Sequence, residues 1–203
     1  MHLYVTFKQF QQTVTAYETH IGTITDTIKS FANAYILSTI LLIKKLKGTG
    51  GIMIIKKAEK QDLQKILELQ KQAYLSEAEL LNNFSIPPLM ETIADLEEEY
   101  EKGLILKAAE KSDPDRIVGS VRGYTEGDTL YIGKLIVAPE CQNRGIGKQL
   151  LRSVEEYFPN HRYELFTSTR SLKNISIYEK SGYHEFKREQ IREDLSFVYL
   201  EKN

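Results

Sequence analysis

Leu135-Ile136-Val137-Ala138-Pro139-Glu140-Cys141-Gln142-Asn143-Arg144-Gly145-Ile146-Gly147-Lys148-Gln149-Leu150-Leu151 decides the reading of this chain. An apolar run enters a Pro-containing turn and a Gly-x-Gly step, and apolar spacing resumes at Ile146, Leu150 and Leu151. The stretch therefore predicts a buried strand, a loop and a helix. The first N–H groups of such a helix have no intrahelical acceptor and carry the positive end of the dipole behind them, which suits phosphate. Gly145 and Gly147 allow close backbone approach, and Arg144 or Lys148 adds charge. Two other phosphate loops are excluded. A Walker A loop needs Gly where Gln142 stands and Ser or Thr where Gln149 stands, and a dinucleotide fingerprint needs a third Gly where Leu150 stands.

Outward from this loop the chain alternates regularly. Upstream, 54–58 is strand-like, and Leu63, Ile66, Leu67, Gln70 and Ala73 recur at helical spacing behind Asp62. Residues 74–89, with Asn82-Asn83 and Pro87-Pro88, read as irregular, and 90–102 as a second helix stopped by Gly103. Strands are predicted over 104–110, 117–124 and 129–137, separated by Asp113-Pro114-Asp115 and Gly127-Asp128. Downstream, 147–158 and 173–180 read as helices, and 163–169, 183–192 and 196–200 as strands. The order β-α-α-β-β-β-α-β-α-β-β predicts a mixed α/β domain with a central, mostly antiparallel sheet between helices.

Gln142-x-x-Gly145-x-Gly147 after Val137-x-Pro139-Glu140, followed by Asn174-Ile175-Ser176-Ile177-Tyr178-Glu179-Lys180-Ser181-Gly182-Tyr183, resembles the paired motifs of the GCN5-related N-acetyltransferase (GNAT) superfamily. The resemblance covers residues 53–203. It implies that the pyrophosphate of acetyl-CoA sits on Gln142, Asn143, Arg144, Gly145, Ile146, Gly147 and Lys148, that the pantetheine pairs with Leu135, Ile136 and Val137, and that an acetyl group passes directly to an amine. It further implies an oxyanion donor in the backbone N–H of Val137 or a neighbour, a pantetheine contact from Asn174, and a general acid in Tyr178. A phenol close to the thiolate in basicity suits that last role, and its titration would give an alkaline limb.

Relatives often carry a basic Glu on the strand before the loop, but here Tyr131-Ile132-Gly133-Lys134-Leu135 has no carboxylate. Glu77, Glu79 and Glu126 are the base candidates, while Glu97-Glu98-Glu99 reads as an exposed helix face. Around 74–89, Tyr74, Glu77, Glu79, Asn82, Asn83 and Phe84 suit a small primary amine with an apolar body. The expected function is acetyl-CoA-dependent N-acetyl transfer to such an amine. A protein N-acetyltransferase and a non-catalytic acyl-CoA-binding module are the alternatives.

The 203 residues hold 27 Lys and Arg against 28 Asp and Glu, a net charge of −1, which gives no support to a nucleic-acid partner. One cysteine, Cys141, excludes an intrachain disulfide and fits the cytoplasm, and the four histidines stand too far apart for a zinc pattern, so no metal is expected. Cys141 reads as a passive side chain beside the loop. Oligomeric state is not fixed by the sequence, and a homodimer is allowed.

Residues 1–52 differ in character, with net charge +3 against −4 for 53–203. Phe31 to Ile43 is too short for a membrane span and too deep for a secretory signal, and reads as a short amphipathic helix packed on the main domain. Gly50-Gly51-Ile52-Met53 is compatible with a ribosome-binding sequence before a start codon, so 1–52 is either an extension or translated leader, and 53–203 the acetyltransferase domain. A chain beginning at Met53 is expected to melt cooperatively and to bind acetyl-CoA as tightly as the full chain. Loss of the cooperative transition on calorimetry would make 1–52 part of the fold.

Overall fold

The computed structural model describes residues 52–203, and the expectations for residues 1–51 lie outside the described residues. Seven strands form one sheet: β1 (Met53–Lys57), β2 (Leu104–Glu110), β3 (Asp113–Glu126), β4 (Thr129–Val137), β5 (Arg162–Ser168), β6 (His184–Arg192) and β7 (Leu195–Lys202). Their spatial order is β1-β2-β3-β4-β5-β7-β6, and every neighbouring pair is antiparallel except β4 with β5. The helices are α1 (Leu63–Leu81), α2 (Pro87–Met90), α3 (Ile93–Lys102), α4 (Ile146–Tyr157) and α5 (Leu172–Glu179). The mixed, mostly antiparallel sheet is as the sequence pattern predicts.

One departure matters for the site. The irregular stretch expected from 74 begins eight residues later, because α1 continues to Leu81 and ends only where Asn82 takes a left-handed φ of 48°. Tyr74 through Leu81 contains neither Gly nor Pro and is rich in Leu, Ala and Glu, all good helix formers, so nothing stops the helix before Asn82. Tyr74, Glu77 and Glu79 thus stand on a helix rather than in a loop. The second predicted helix begins three residues later than expected, as α3, because Thr92 caps it by accepting from the Asp95 N–H while Asp95 receives the Thr92 N–H, and the short α2 forms within the stretch read as irregular.

The seating of α4 fixes where the loop before it points. Ile146, Leu150 and Val154 recur every four residues on its buried face and meet two glycines of β3. A Cβ at Gly119 would lie 2.9 Å from Leu150 Cδ1 and 3.1 Å from the Ile136 carbonyl oxygen, and one at Gly123 would lie 3.2 Å from Val154 Cγ2. Both glycines let the helix approach the strand closely. Gly119→Val is expected to destabilise the protein by about 1–3 kcal/mol, the usual cost of overpacking, lowering Tm by several degrees, and to weaken acetyl-CoA binding by displacing the start of α4. Calorimetric melting and titration of the variant check both effects.

Candidate active site

Strands β4 and β5 begin paired and then part. Their register runs through Thr129 with Arg162, Leu130 with Tyr163 and Tyr131 with Glu164, and stops there. Beyond it, Gly133 to Val137 have a partner strand on the β3 side only. Between Arg122↔Gly133 and Ser120↔Ile136, β4 advances one residue more than β3, a bulge in which Lys134 takes a φ of 48°. The Ala138 N–H donates to the Val118 carbonyl at 2.9 Å. Antiparallel alternation then turns the N–H and C=O of Val137 away from β3, into the gap between β4 and β5. The side-chain amide of Gln142 donates to the Val137 carbonyl at 3.4 Å, consistent with that orientation.

The loop follows at once. Pro139–Cys141 form a single 3₁₀ turn, Asn143 and Gly145 have left-handed φ values of 60° and 78°, and the Gln149 N–H donates to the Gly145 carbonyl at 3.1 Å to close the first turn of α4. Left-handed residues alternating with right-handed ones form a backbone nest for an anion. A Cβ at Gly147 would meet only Val137 Cγ2, at 3.8 Å, so the protein's own packing does not require glycine there, and the space it leaves suits a phosphate group. Of the flanking cations, Arg144 is taken by Glu110 at 3.1 Å, whereas Lys148 is exposed. Cys141 is buried in the main core and is not a surface thiol. Asn174 lies half-buried in the first turn of α5.

Tyr178 comes from the last turn of α5. Only 8% exposed, it packs in the main core, its ring 6.2 Å from that of Tyr183. Its hydroxyl has no partner among the described residues, none of whose buried polar side-chain atoms is left unsatisfied, so it opens onto accessible space. Burial pushes this phenol up to about 12, and the Glu77 charge acts in the same direction. Tyr74 is likewise held well above the ordinary phenol range by burial and by Tyr178, Glu77 and Glu91, against the opposing charge of Arg122. Glu77 accepts from the Ser171 hydroxyl at 2.5 Å, and so joins α1 to the start of α5.

On the β4 segment without a carboxylate stands Lys134, and its ammonium holds Glu91 and Glu99, the latter at 2.7 Å. Arg122 binds Glu91 at 3.0 Å, Glu99 at 2.5 Å and the carbonyl oxygen of Gln70 at 2.6 Å. Burial alone would raise the Glu91 carboxyl, but the hydrogen bonds from Arg122 and Lys134 outweigh it and keep the group below the ordinary carboxylate value. Glu98 and Glu99 are exposed, as expected for that helix face, and Glu99 also reaches this network. Sequence reading missed Arg122, Glu91 and Gln70; a charged residue amid the apolar β3 run was the available signal.

The candidate bases separate. Glu77 bonds Ser171 at the start of the helix that carries Tyr178 and its charge raises the Tyr178 phenol, whereas Glu79 is exposed two residues further along α1. Glu126 pairs with Thr129 at the opposite end of β4, about 26 Å along the strand from Val137. Among the described residues no group of His, Cys, Asp and Glu is arranged to hold a metal ion, and no helix is long and apolar enough to cross a membrane.

The model of the acetyltransferase (GNAT) domain matches residues 77–203. The chain belongs to the GNAT acetyltransferase family. Its likeness to UPF0157 protein YqkA of Bacillus subtilis (strain 168) is 26% identity over 121 residues, 59% of this chain and 34% of that protein. The chain thus spans about a third of that curated relative. Solved structures of the same fold include the ribosomal-protein-S18-alanine N-acetyltransferase from Escherichia coli, with TM-score 0.61, 14% identity, and coverage of 74% of this chain and 92% of that one. The PaiA N-acetyltransferase from Thermoplasma acidophilum, in complex with coenzyme A, has TM-score 0.58, 17% identity, and coverage of 73% and 98%. The YncA structure from Salmonella typhimurium with its cofactor acetyl-CoA has TM-score 0.58, 16% identity, and coverage of 75% and 94%.

The space at Gly147 gives the GNAT loop its test. Gly147→Val avoids left-handed backbone and severe contacts, so its Tm is expected to stay within a few degrees while coenzyme A affinity falls more than about tenfold. Unchanged affinity on calorimetry would move the phosphates elsewhere.

Proposed function

We propose that the protein is an acetyl-CoA-dependent N-acetyltransferase that acts on a primary amine of a small molecule. The observation that carries this reading is the Val137 backbone turned into the β4–β5 gap, immediately before the glycine loop that starts α4. Loop residues 142–148 would take the pyrophosphate, and Leu135 to Val137 the pantetheine, with Asn174 beside it.

The neutral amine attacks the thioester carbonyl, forming a C–N bond as the carbonyl pair moves onto oxygen, and the Val137 N–H is placed to donate to that oxyanion. Collapse of the intermediate expels the thiolate with the C–S pair, and the amine surrenders its proton to a base. Glu77 stands nearest Tyr178 of the three candidates. A phenol at about 12 lies well above a thiol of ordinary pKa near 8.5, so its proton stays on Tyr178, which acts by donating a hydrogen bond to the departing thiolate.

Against the acyl-CoA-binding alternative we weigh Glu77, a candidate base held by Ser171 at the start of α5, although β4 has no carboxylate. A protein acceptor stays as the second reading, since the solved relatives include a ribosomal-protein-alanine N-acetyltransferase. Thiol release from acetyl-CoA across a panel of small amines and peptides tests the proposal, and binding without turnover on any of them would return the protein to a binding module.

Tyr178→Phe is expected to keep acetyl-CoA affinity and to lower kcat about 10- to 100-fold, the worth of one hydrogen bond to a charged group. With its pKa raised to about 12, the phenol stays protonated up to that pH, so wild type and variant should share the same pH–rate shape below about pH 10. An alkaline limb that vanishes with the hydroxyl would restore Tyr178 as a proton donor.

A further inference from the structure

One side of α1 carries three polar residues in succession, Gln70, buried, and Tyr74 and Glu77, half-buried, spaced four and three apart. Their partners divide them. Gln70 donates to Glu91 at 2.5 Å and accepts from Arg122, inside a network in which two cations, Arg122 and Lys134, face two carboxylates, Glu91 and Glu99. That network is neutral and closed. Glu77, half-buried, has a hydroxyl as its partner, and no lysine, arginine or histidine among the described residues pairs with it. A carboxylate removed from water with no cation beside it is costly, and a bound cation relieves the cost. Tyr178, nine-tenths buried with a free hydroxyl, stands within electrostatic reach of Glu77, and Tyr74 within reach of both. Beyond Tyr74 the surroundings turn apolar: Tyr74, Leu89 and Leu195 pack round Ala78, Leu81 and Ile86.

We propose that Tyr74, Glu77 and Ser171 form the acceptor subsite and select a monocationic primary amine with an apolar body over a polyamine. The ammonium binds the Glu77 carboxylate and the Tyr74 hydroxyl, and the apolar body lies toward Leu89 and Leu195. Ser171 is a positioning residue that holds the Glu77 carboxylate from the start of α5, the helix that also carries Tyr178. Glu91 and Glu99 are already neutralised and offer a second ammonium no free partner, and Glu79, two residues on, lies on another side of α1 and is exposed. The subsite rests on the N-acetyltransferase reading above, but its first readout is binding and needs no turnover.

The experiment titrates benzylamine and spermidine into the full-length protein saturated with coenzyme A, for wild type, Glu77→Gln, Ser171→Ala and Ser171→Thr, with acetyl-CoA affinity and melting as controls. Benzylamine should bind wild type more tightly than spermidine, and Glu77→Gln should weaken it by about 30-fold or more, the loss expected for one partner of a desolvated ion pair. With turnover, Ser171→Ala should raise KM for benzylamine about five- to tenfold with kcat little changed, and Ser171→Thr should restore it. No benzylamine binding by the wild-type complex, equal binding by Glu77→Gln, or tighter binding of spermidine overturns the subsite. Amine binding that depends on Glu77 without thiol release overturns the transferase reading and leaves the subsite standing.

Discussion

The parting of β4 from β5 is the constraint on which the rest of this structure depends. Backbone N–H and C=O groups must be satisfied, and a strand that leaves its neighbour exposes one edge of them in the middle of a sheet. Here the edge opens after Tyr131 and Glu164, and Val137 presents its N–H and C=O there. An extended, amide-bearing ligand can complete the ladder, the part our proposal gives to a pantetheine arm with its thioester beside the Val137 N–H. Helix α4 closes the same end of the gap with its first turn, seated against β3 by the absence of side chains at Gly119 and Gly123.

Keeping that gap in shape needs a bulge, and the bulge has an electrostatic anchor. Lys134 adopts left-handed backbone, unusual for a side-chain-bearing residue, while its ammonium is held between Glu91 and Glu99. Arg122 on β3 reaches the same two carboxylates and Gln70. Strands β3 and β4 are thereby tied to α1 and α3 on one face of the sheet. Breaking one member would leave a buried charge unpaired, so the network acts as a unit and rigidifies the strand carrying Val137. Its neutrality also sets Glu77 apart, a half-buried carboxylate on the same side of α1 whose partner is the Ser171 hydroxyl rather than a cation.

Much of this was legible in the chain. The Gly-x-Gly step between an apolar run and a helix face marked the loop, and alternation on either side gave seven strands in the right order. Tyr178 stood out by its spacing to Gly182. The length of α1 was misjudged at Tyr74, because the Asn and Pro pairs further on drew the boundary back into a run of good helix formers. The Arg122 network was invisible, since its members are spread over α1, the α2–α3 junction, α3, β3 and β4, and no local period links them.

Local chemistry, then, settles what the sequence alone determines here: periodicity fixes which segments are strands and helices, and glycines at fixed offsets fix where backbone can meet a phosphate. Those are properties of neighbours in the chain. Tertiary structure alone decided that Glu77 meets Ser171 and looks toward Tyr178, while Glu126 sits at the other end of β4. It also decided that the Tyr178 phenol is pushed up to about 12, because a phenol's affinity for its proton depends on burial and on charges brought near by folding.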